Sequence, residues 1–169
     1  MKRAKKGLAF LISLCMIAGM LPTFAYANGD TFAEMKVGDK EAKQYDDQSQ
    51  FFSEFQQATG EISIKLLDDV TINGYIPVSE TQNVELDLNG CTLSTGVSSG
   101  SDLNTRHHYA IENNGTLLIE DTAGNGSIKA RGVKNLGEGI MVINGGTFID
   151  VDANGGAAIW NEADLTING

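Results

Sequence analysis

The chain has 169 residues, 41% of them hydrophobic, with 12 basic and 22 acidic side chains and a formal net charge of −10. The hydrophobic content suits a folded domain, and the acidic balance argues against nucleic acid or anionic lipid as partners. Two cysteines, Cys15 and Cys91, cannot supply the disulfide framework that staples many small secreted domains.

Residues 1–27 read as an export signal. Lys2, Arg3, Lys5 and Lys6 form a charged head, "LAFLISLCMIAGM" from Leu8 to Met20 is the apolar run, and "AYA" from Ala25 to Ala27 is the cleavage site. The run is too short to span a bilayer, which takes about 20 residues. Cys15 follows Leu14 in mid-run, not the small residue that lipoprotein processing uses. Cleavage after Ala27 removes four basic and no acidic residues, leaving a net charge of −14. The expectation is a Gram-positive type of export to the extracellular space or cell surface, with no membrane insertion once the signal is removed.

Residues 28–44 are polar without a sustained period and read as a lead-in. Residues 45–60, "YDDQSQFFSEFQQATG", carry a helical signal: Phe51, Phe52, Phe55 and Ala58 fall on one face, Asp46 or Asp47 can cap the start, and Gly60 can stop it. From Glu61 the period becomes two. Ile62, Ile64 and Leu66 alternate with polar residues, as do Val84, Leu86 and Leu88. Short runs punctuated by Asn-Gly and Gly-Gly mean strands and tight turns, for which hairpins are the simplest reading.

A repeat overturns that reading. "TLLIED" (Thr116–Asp121), "IMVING" (Ile140–Gly145) and "DLTING" (Asp164–Gly169) follow one another at 24 residues, and "AIENNGTLLIED" aligns with "AIWNEADLTING" 48 residues on. A fixed period in this range means a repeat architecture. Each unit holds two or three short strands and no helix, which excludes helical repeats, and it is shorter than a propeller blade of about 40 residues. The fit is an all-β parallel β-helix of about 24-residue coils over 61–169, with the helix of 45–60 placed as a capping helix on its first coil. Leu117, Met141 and Leu165 then form one inward stack, and Ile119, Ile143 and Ile167 a second. Ile111 and Ile159 belong to a third that Asn135 interrupts, so the middle coil must be irregular there. Asn144 over Asn168 makes a ladder of side-chain amides.

The phrases "VELDLNGCTLS", "AIENNGTLLIED" and "INGGTF" resemble the secreted right-handed β-helix proteins of Gram-positive bacteria, within the pectin-lyase-like superfamily. The resemblance covers Glu61 to Gly169 and implies a surface or adhesin-like scaffold; the superfamily also holds polysaccharide lyases and glycoside hydrolases. The Asn-Thr-Asp, Asp-Asp, His-Gly and Arg-x-Lys phrases of its pectin hydrolases are absent from this sequence.

No catalytic set emerges from the residues. Asp150 and Asp152 lie two apart on one strand face, outward if the strand from Phe148 is turn-shifted, and Asp121 approaches from the preceding coil. Such carboxylates, with backbone carbonyls, form a weak Ca²⁺ set, the one cofactor considered; a solvated acidic face is the simpler reading. Lys129, Arg131 and Lys134 can neutralise an acidic sugar or act as solubilising charges. His107 and His108 are adjacent, so on a strand they point apart and do not share a metal. Trp160, beside inward Ile159, should face outward, where a sugar ring can stack on it. Cys91 reads as a small residue packed at a turn. Asn114 and Asn125 match the glycosylation acceptor, though the glycine after each is what a corner needs.

The function expected is non-enzymatic: a scaffold for adhesion or for contact with an extracellular polysaccharide or a host or matrix surface. The alternatives are a polysaccharide-active lyase or hydrolase, or a fragment of one, and a carbohydrate-binding module. A coil ending at Gly169 leaves Leu165 and Ile167 on an open edge, so the expectation is a C-terminally truncated array prone to end-to-end self-association.

Overall fold

A computed structural model describes residues 31–96, 109–130, 132–150 and 157–168. Those residues form a β-solenoid of about four turns, a parallel β-helix. The first turn contributes β3 (Gly60–Leu66), β4 (Val70–Ile72) and β5 (Ile76–Val78), and the second β6 (Gln82–Asp87), β7 (Thr92–Thr95) and β8 (Ile111–Asn113). The third contributes β9 (Thr116–Glu120), β10 (Ser127–Ala130) and β11 (Val133–Asn135), and the fourth β12 (Ile140–Ile143), β13 (Thr147–Asp150) and β14 (Ile159–Asn161). β15 (Asp164–Ile167) begins the next.

Strands in equivalent places stack in register into three walls. The first runs β3–β6–β9–β12–β15, the second β4–β7–β10–β13 and the third β5–β8–β11–β14, every neighbour parallel. Alternation then sends every second side chain inward. Val84, Leu117, Met141 and Leu165 make one column, and Leu86, Ile119, Ile143 and Ile167 another. Burial is near complete within the stack and ends with it: Ile143 is 3% exposed, while Ile167, on the last strand, is 60% exposed. The hairpin reading fails because the Asn-Gly pairs turn corners between walls, not reversals between antiparallel neighbours.

The spacing is less even than the repeat suggests. Ile62 pairs with Val84 after 22 residues and Leu117 with Met141 after 24, but Val84 pairs with Leu117 after 33. The surplus falls between β7 and β8. His107 and His108 belong to that stretch and lie outside the described residues.

The start of the solenoid is closed by more than a helix. Residues 28–44 were expected as a polar lead-in, yet within them β1 (Ala33–Val37) pairs antiparallel with β3 on one side and with β2 (Lys43–Tyr45) on the other. The signal for β1 is short: Ala33 and Met35 alternate with Glu34 and Lys36 and are buried, while five residues give too little period to separate from a polar coil. Helix α1 (Gln48–Gln57) follows as expected. Asp47 is the N-cap, accepting from the amides of Ser49 at 2.7 Å and Gln50 at 3.3 Å. Phe51 and Phe55 are buried with Phe32 and Tyr45, and Phe52 is half-buried at their edge. The helix is tied to the first two turns: the Gln48 side chain donates to the Thr71 carbonyl at 2.8 Å, and buried Gln82 donates to the carbonyls of Phe55 and Ala58. Edge β3 is thereby paired and the first core layer covered, which is what an open solenoid end requires.

Candidate functional site

In the first three turns the corner between the first and second walls is held by a carboxylate. Asp69 accepts the Thr92 amide at 2.6 Å from the next turn, and Asp87 accepts the amides of Asn89 and Thr122 and the Thr122 hydroxyl. Asp121 spends one oxygen on the Gly90 amide and the other on the Gly126 amide, both at 2.7 Å. These acids serve the backbone. A loop amide that turns away from the strand ladder needs an acceptor, and a carboxylate offers two.

Asp87 carries a consequence for pH. Burial works to raise its pKa, but the Thr122 amide and hydroxyl, the Asn89 amide and the Lys65 ammonium outweigh it and hold the pKa below the usual aspartate range. A depressed folded pKa stabilises the fold above the unfolded value, about 3.9, and that contribution disappears as pH falls through the folded value. We expect wild type to exceed Asp87→Asn by on the order of 1–3 kcal/mol near pH 7. The gap should narrow in urea titrations as pH is lowered below the unfolded value. A gap unchanged with pH would remove Asp87 from the account.

The Ca²⁺ set proposed by the sequence is not brought together. Both Asp121 oxygens already hold corner amides. Asp150 closes β13 at the far end of the second wall, about 10 Å along the strand at 3.3 Å per residue. The strand is not turn-shifted either. Phe148 stays on the core side, in register with Ile128, so Asp150 takes the core-side parity and Thr147 and Ile149 face out. Asp152 lies outside the described residues, as does Arg131. Among the described residues no three His, Cys, Asp or Glu side chains are grouped to hold a metal.

The remaining candidates separate by wall. Lys129 is exposed on the outer face of the second wall, between Ser94 and Ile149. Trp160 is on the outer face of the third, 45% exposed, as its position beside Ile159 implied. Its partner there is Lys134. The register Pro77–Glu112 and Glu112–Lys134–Trp160 makes one outward row across four strands. The Lys134 ammonium sits 5.8 Å from the Trp160 ring centre and 5.9 Å from that of Tyr109, within cation–π range of both. The indole N–H of Trp160 donates to Glu162 at 2.8 Å. The result is an aromatic surface with an ammonium on one side and a carboxylate at its polar edge.

A partly buried ladder of amides matches that register. Asn113 donates its side-chain amide to the Asn135 oxygen at 2.7 Å, and Asn135 donates to the Asn161 oxygen at 2.8 Å. Steps of 22 and then 26 residues replace the even 24, so Val133 fills the column between Ile111 and Ile159, and Asn135 joins Asn113 and Asn161. The irregularity expected at Asn135 is real and takes this form. At an even step Lys134 would lie over Ala158, which is why the sequence alone does not pair it with Trp160. The expected amide pair also forms: Asn168 donates to Asn144 at 3.0 Å.

Cys91 is half-buried at a corner and packs against the core. Burial pushes its thiol pKa up, with Asp69, Asp68, Asp121 and Asp87 adding to the effect, so the reactive thiolate is disfavoured. Hollows also mark the described surface. One, of about 440 Å³, lies on the outer face of the first wall between Lys36, Glu61, Ser63, Asn83 and Glu85. Another, of about 410 Å³, lies beside α1. There Glu54 pairs with Lys43 and accepts from the Tyr45 hydroxyl at 2.7 Å. Burial first, then this bond and the Glu54 charge, raise the Tyr45 pKa, keeping the hydroxyl a donor.

No protein-family model, curated protein or solved structure matches this chain.

Proposed function

We propose that the protein is a non-enzymatic β-helix scaffold, exported to the cell surface or its surroundings, whose outward side chains contact a glycan or a matrix surface. The single observation behind this reading is the exposed Trp160 ring, flanked by Lys134 and Glu162 on a rigid wall. An aromatic face with hydrogen-bonding groups at its rim suits a sugar ring, whose C–H face stacks while its hydroxyls find a donor and an acceptor. A strand-borne row keeps that arrangement pre-organised, which lowers the entropy cost of binding. The charged head, apolar run and Ala-Tyr-Ala of residues 1–27 support export. The phrases that resemble the pectin-lyase-like superfamily support a place within it, with the motif phrases of its pectin hydrolases missing.

Trp160 is the sole tryptophan, so its fluorescence reports this site directly. Titration with soluble oligosaccharides from plant and bacterial walls is expected to shift or quench that emission, and Trp160→Ala should weaken retention on the matching insoluble glycan by about tenfold or more. With the ring half in solvent, the substitution should leave the unfolding midpoint within about 0.5 kcal/mol of wild type. Equal retention of Trp160→Ala and wild type, or cleavage of the glycan above a heat-killed control, would sink the reading.

A further inference from the structure

Five Asn-Gly pairs fall wholly within the described residues: Asn73–Gly74, Asn89–Gly90, Asn114–Gly115, Asn125–Gly126 and Asn144–Gly145. Such a pair can modify itself, because glycine lets its own amide nitrogen approach the asparagine carbonyl carbon. We propose that the fold protects four of these pairs and leaves Asn73–Gly74 as the one among the five open to spontaneous deamidation.

The protection is specific in each case. The Gly90 and Gly126 amides, which would be the nucleophiles, are each bound at 2.7 Å by Asp121, and a carboxylate acceptor opposes loss of the amide proton. The Gly115 amide is bound by the Asn113 side chain at 3.1 Å inside the solenoid. At Asn144 the electrophile is the held partner: its amide nitrogen donates to Glu120 at 3.2 Å and its oxygen accepts from Asn168 at 3.0 Å, so rotation toward Gly145 breaks the ladder. Asn73 follows β4, the edge strand of the second wall, and is exposed. Neither its side chain nor the Gly74 amide makes a hydrogen bond among the described residues. Gly74 has φ +126° with open space where a Cβ would stand, so the turn has room to close a ring.

The reaction needs only water and hydroxide. Hydroxide takes the Gly74 amide proton, the nitrogen bonds to the Asn73 side-chain carbonyl carbon, and the C–NH₂ bond breaks to release ammonia. Water then opens the succinimide at either carbonyl, giving aspartate or isoaspartate at position 73. The net change replaces one amide by one carboxylate and, on the isoaspartate path, adds a backbone methylene at the first turn of the solenoid.

The test is to age the full chain at mildly alkaline pH and 37 °C, folded and in urea, and to follow each pair by peptide mass spectrometry and isoaspartate quantification. In the folded chain position 73 should convert about tenfold faster than positions 89, 114, 125 and 144, the cost of opening a hydrogen bond to a charged group. In urea the five rates should converge. Asn73→Gln should remove the early product, and Asp121→Ala should speed conversion at positions 89 and 125 if that chain still melts cooperatively. Equal folded rates, a different leading position among the five, or a ranking that survives in urea would each overturn the proposal.

Discussion

Gly132→Ala is expected to be the most damaging glycine-to-alanine change among the described residues. Gly132 has φ +92°, and a Cβ built there would stand 1.6 Å from the Ala158 carbonyl oxygen and 2.4 Å from its carbon. Both are backbone atoms of the adjacent turn, so no rotamer relieves the contact. That carbonyl accepts the Val133 amide at 3.1 Å, and the Gly132 carbonyl accepts the Ala110 amide at 2.8 Å. Moving either strand enough to admit the methyl costs a ladder hydrogen bond as well as the backbone strain. We expect a loss of about 3 kcal/mol or more in urea unfolding. The emission of Trp160 should change too, because β11 and β14 carry Lys134 and Trp160 immediately after the collision. Gly124→Ala is the control: its φ of +74° brings similar strain, but nothing lies within 4 Å of the added Cβ. It should cost about 1–2 kcal/mol. If the two variants melt together, the collision is not what Gly132 avoids.

The same contact explains what could and could not be read from the chain. The later turns of the first wall were legible because their inward columns keep one residue type at an even step: Leu117, Met141 and Leu165 are apolar and 24 apart. Phe51 and Phe55 were legible because a helical face repeats within a few residues. The third wall was not. Its last two steps are 22 and 26, and the hydrogen-bond partners of Asn135 mark where the two-residue shift falls. Composition at Asn135 says that a coil is irregular, while the direction of the shift is a three-dimensional property. That direction places Lys134 on Trp160, so the one candidate contact surface followed from what the sequence left undecided. The corner role of Asp121 was not legible for a related reason. Asp121, Asp150 and Asp152 look like a metal set when only spacing is counted, but Asp121 is consumed by amides that face it from its own turn and from the turn before.

Asn135→Leu tests this ordering at its centre, and its expected cost is about 2–4 kcal/mol. Asn135 is fully buried, and its side chain meets four partners: the Asn113 amide on one side, and the Gly139 carbonyl, the Asn161 oxygen and the Asp164 carbonyl on the other. Leucine fills a similar volume and satisfies none of them. Asn113 keeps a second bond, to the Ile140 carbonyl at 3.1 Å, so the penalty concentrates on the acceptors of the third and fourth turns. Asn161 offers the matched comparison. It belongs to the same ladder but is exposed, so water can replace what Asn161→Leu removes, and that variant should lose less than about 1 kcal/mol. The buried amide also selects the register. At an even step of 24 it would stand between Ile111 and Ile159 with no partner, at a desolvation cost of about 1–3 kcal/mol; shifted by two, it is fully bonded. Removing it therefore weakens the reason for the 22 and 26 steps, and Asn135→Leu should broaden the emission of Trp160 even where the chain remains folded. Equal unfolding midpoints for Asn135→Leu and Asn161→Leu, with an unchanged Trp160 spectrum, would mean that strand packing sets the register and the ladder merely follows it.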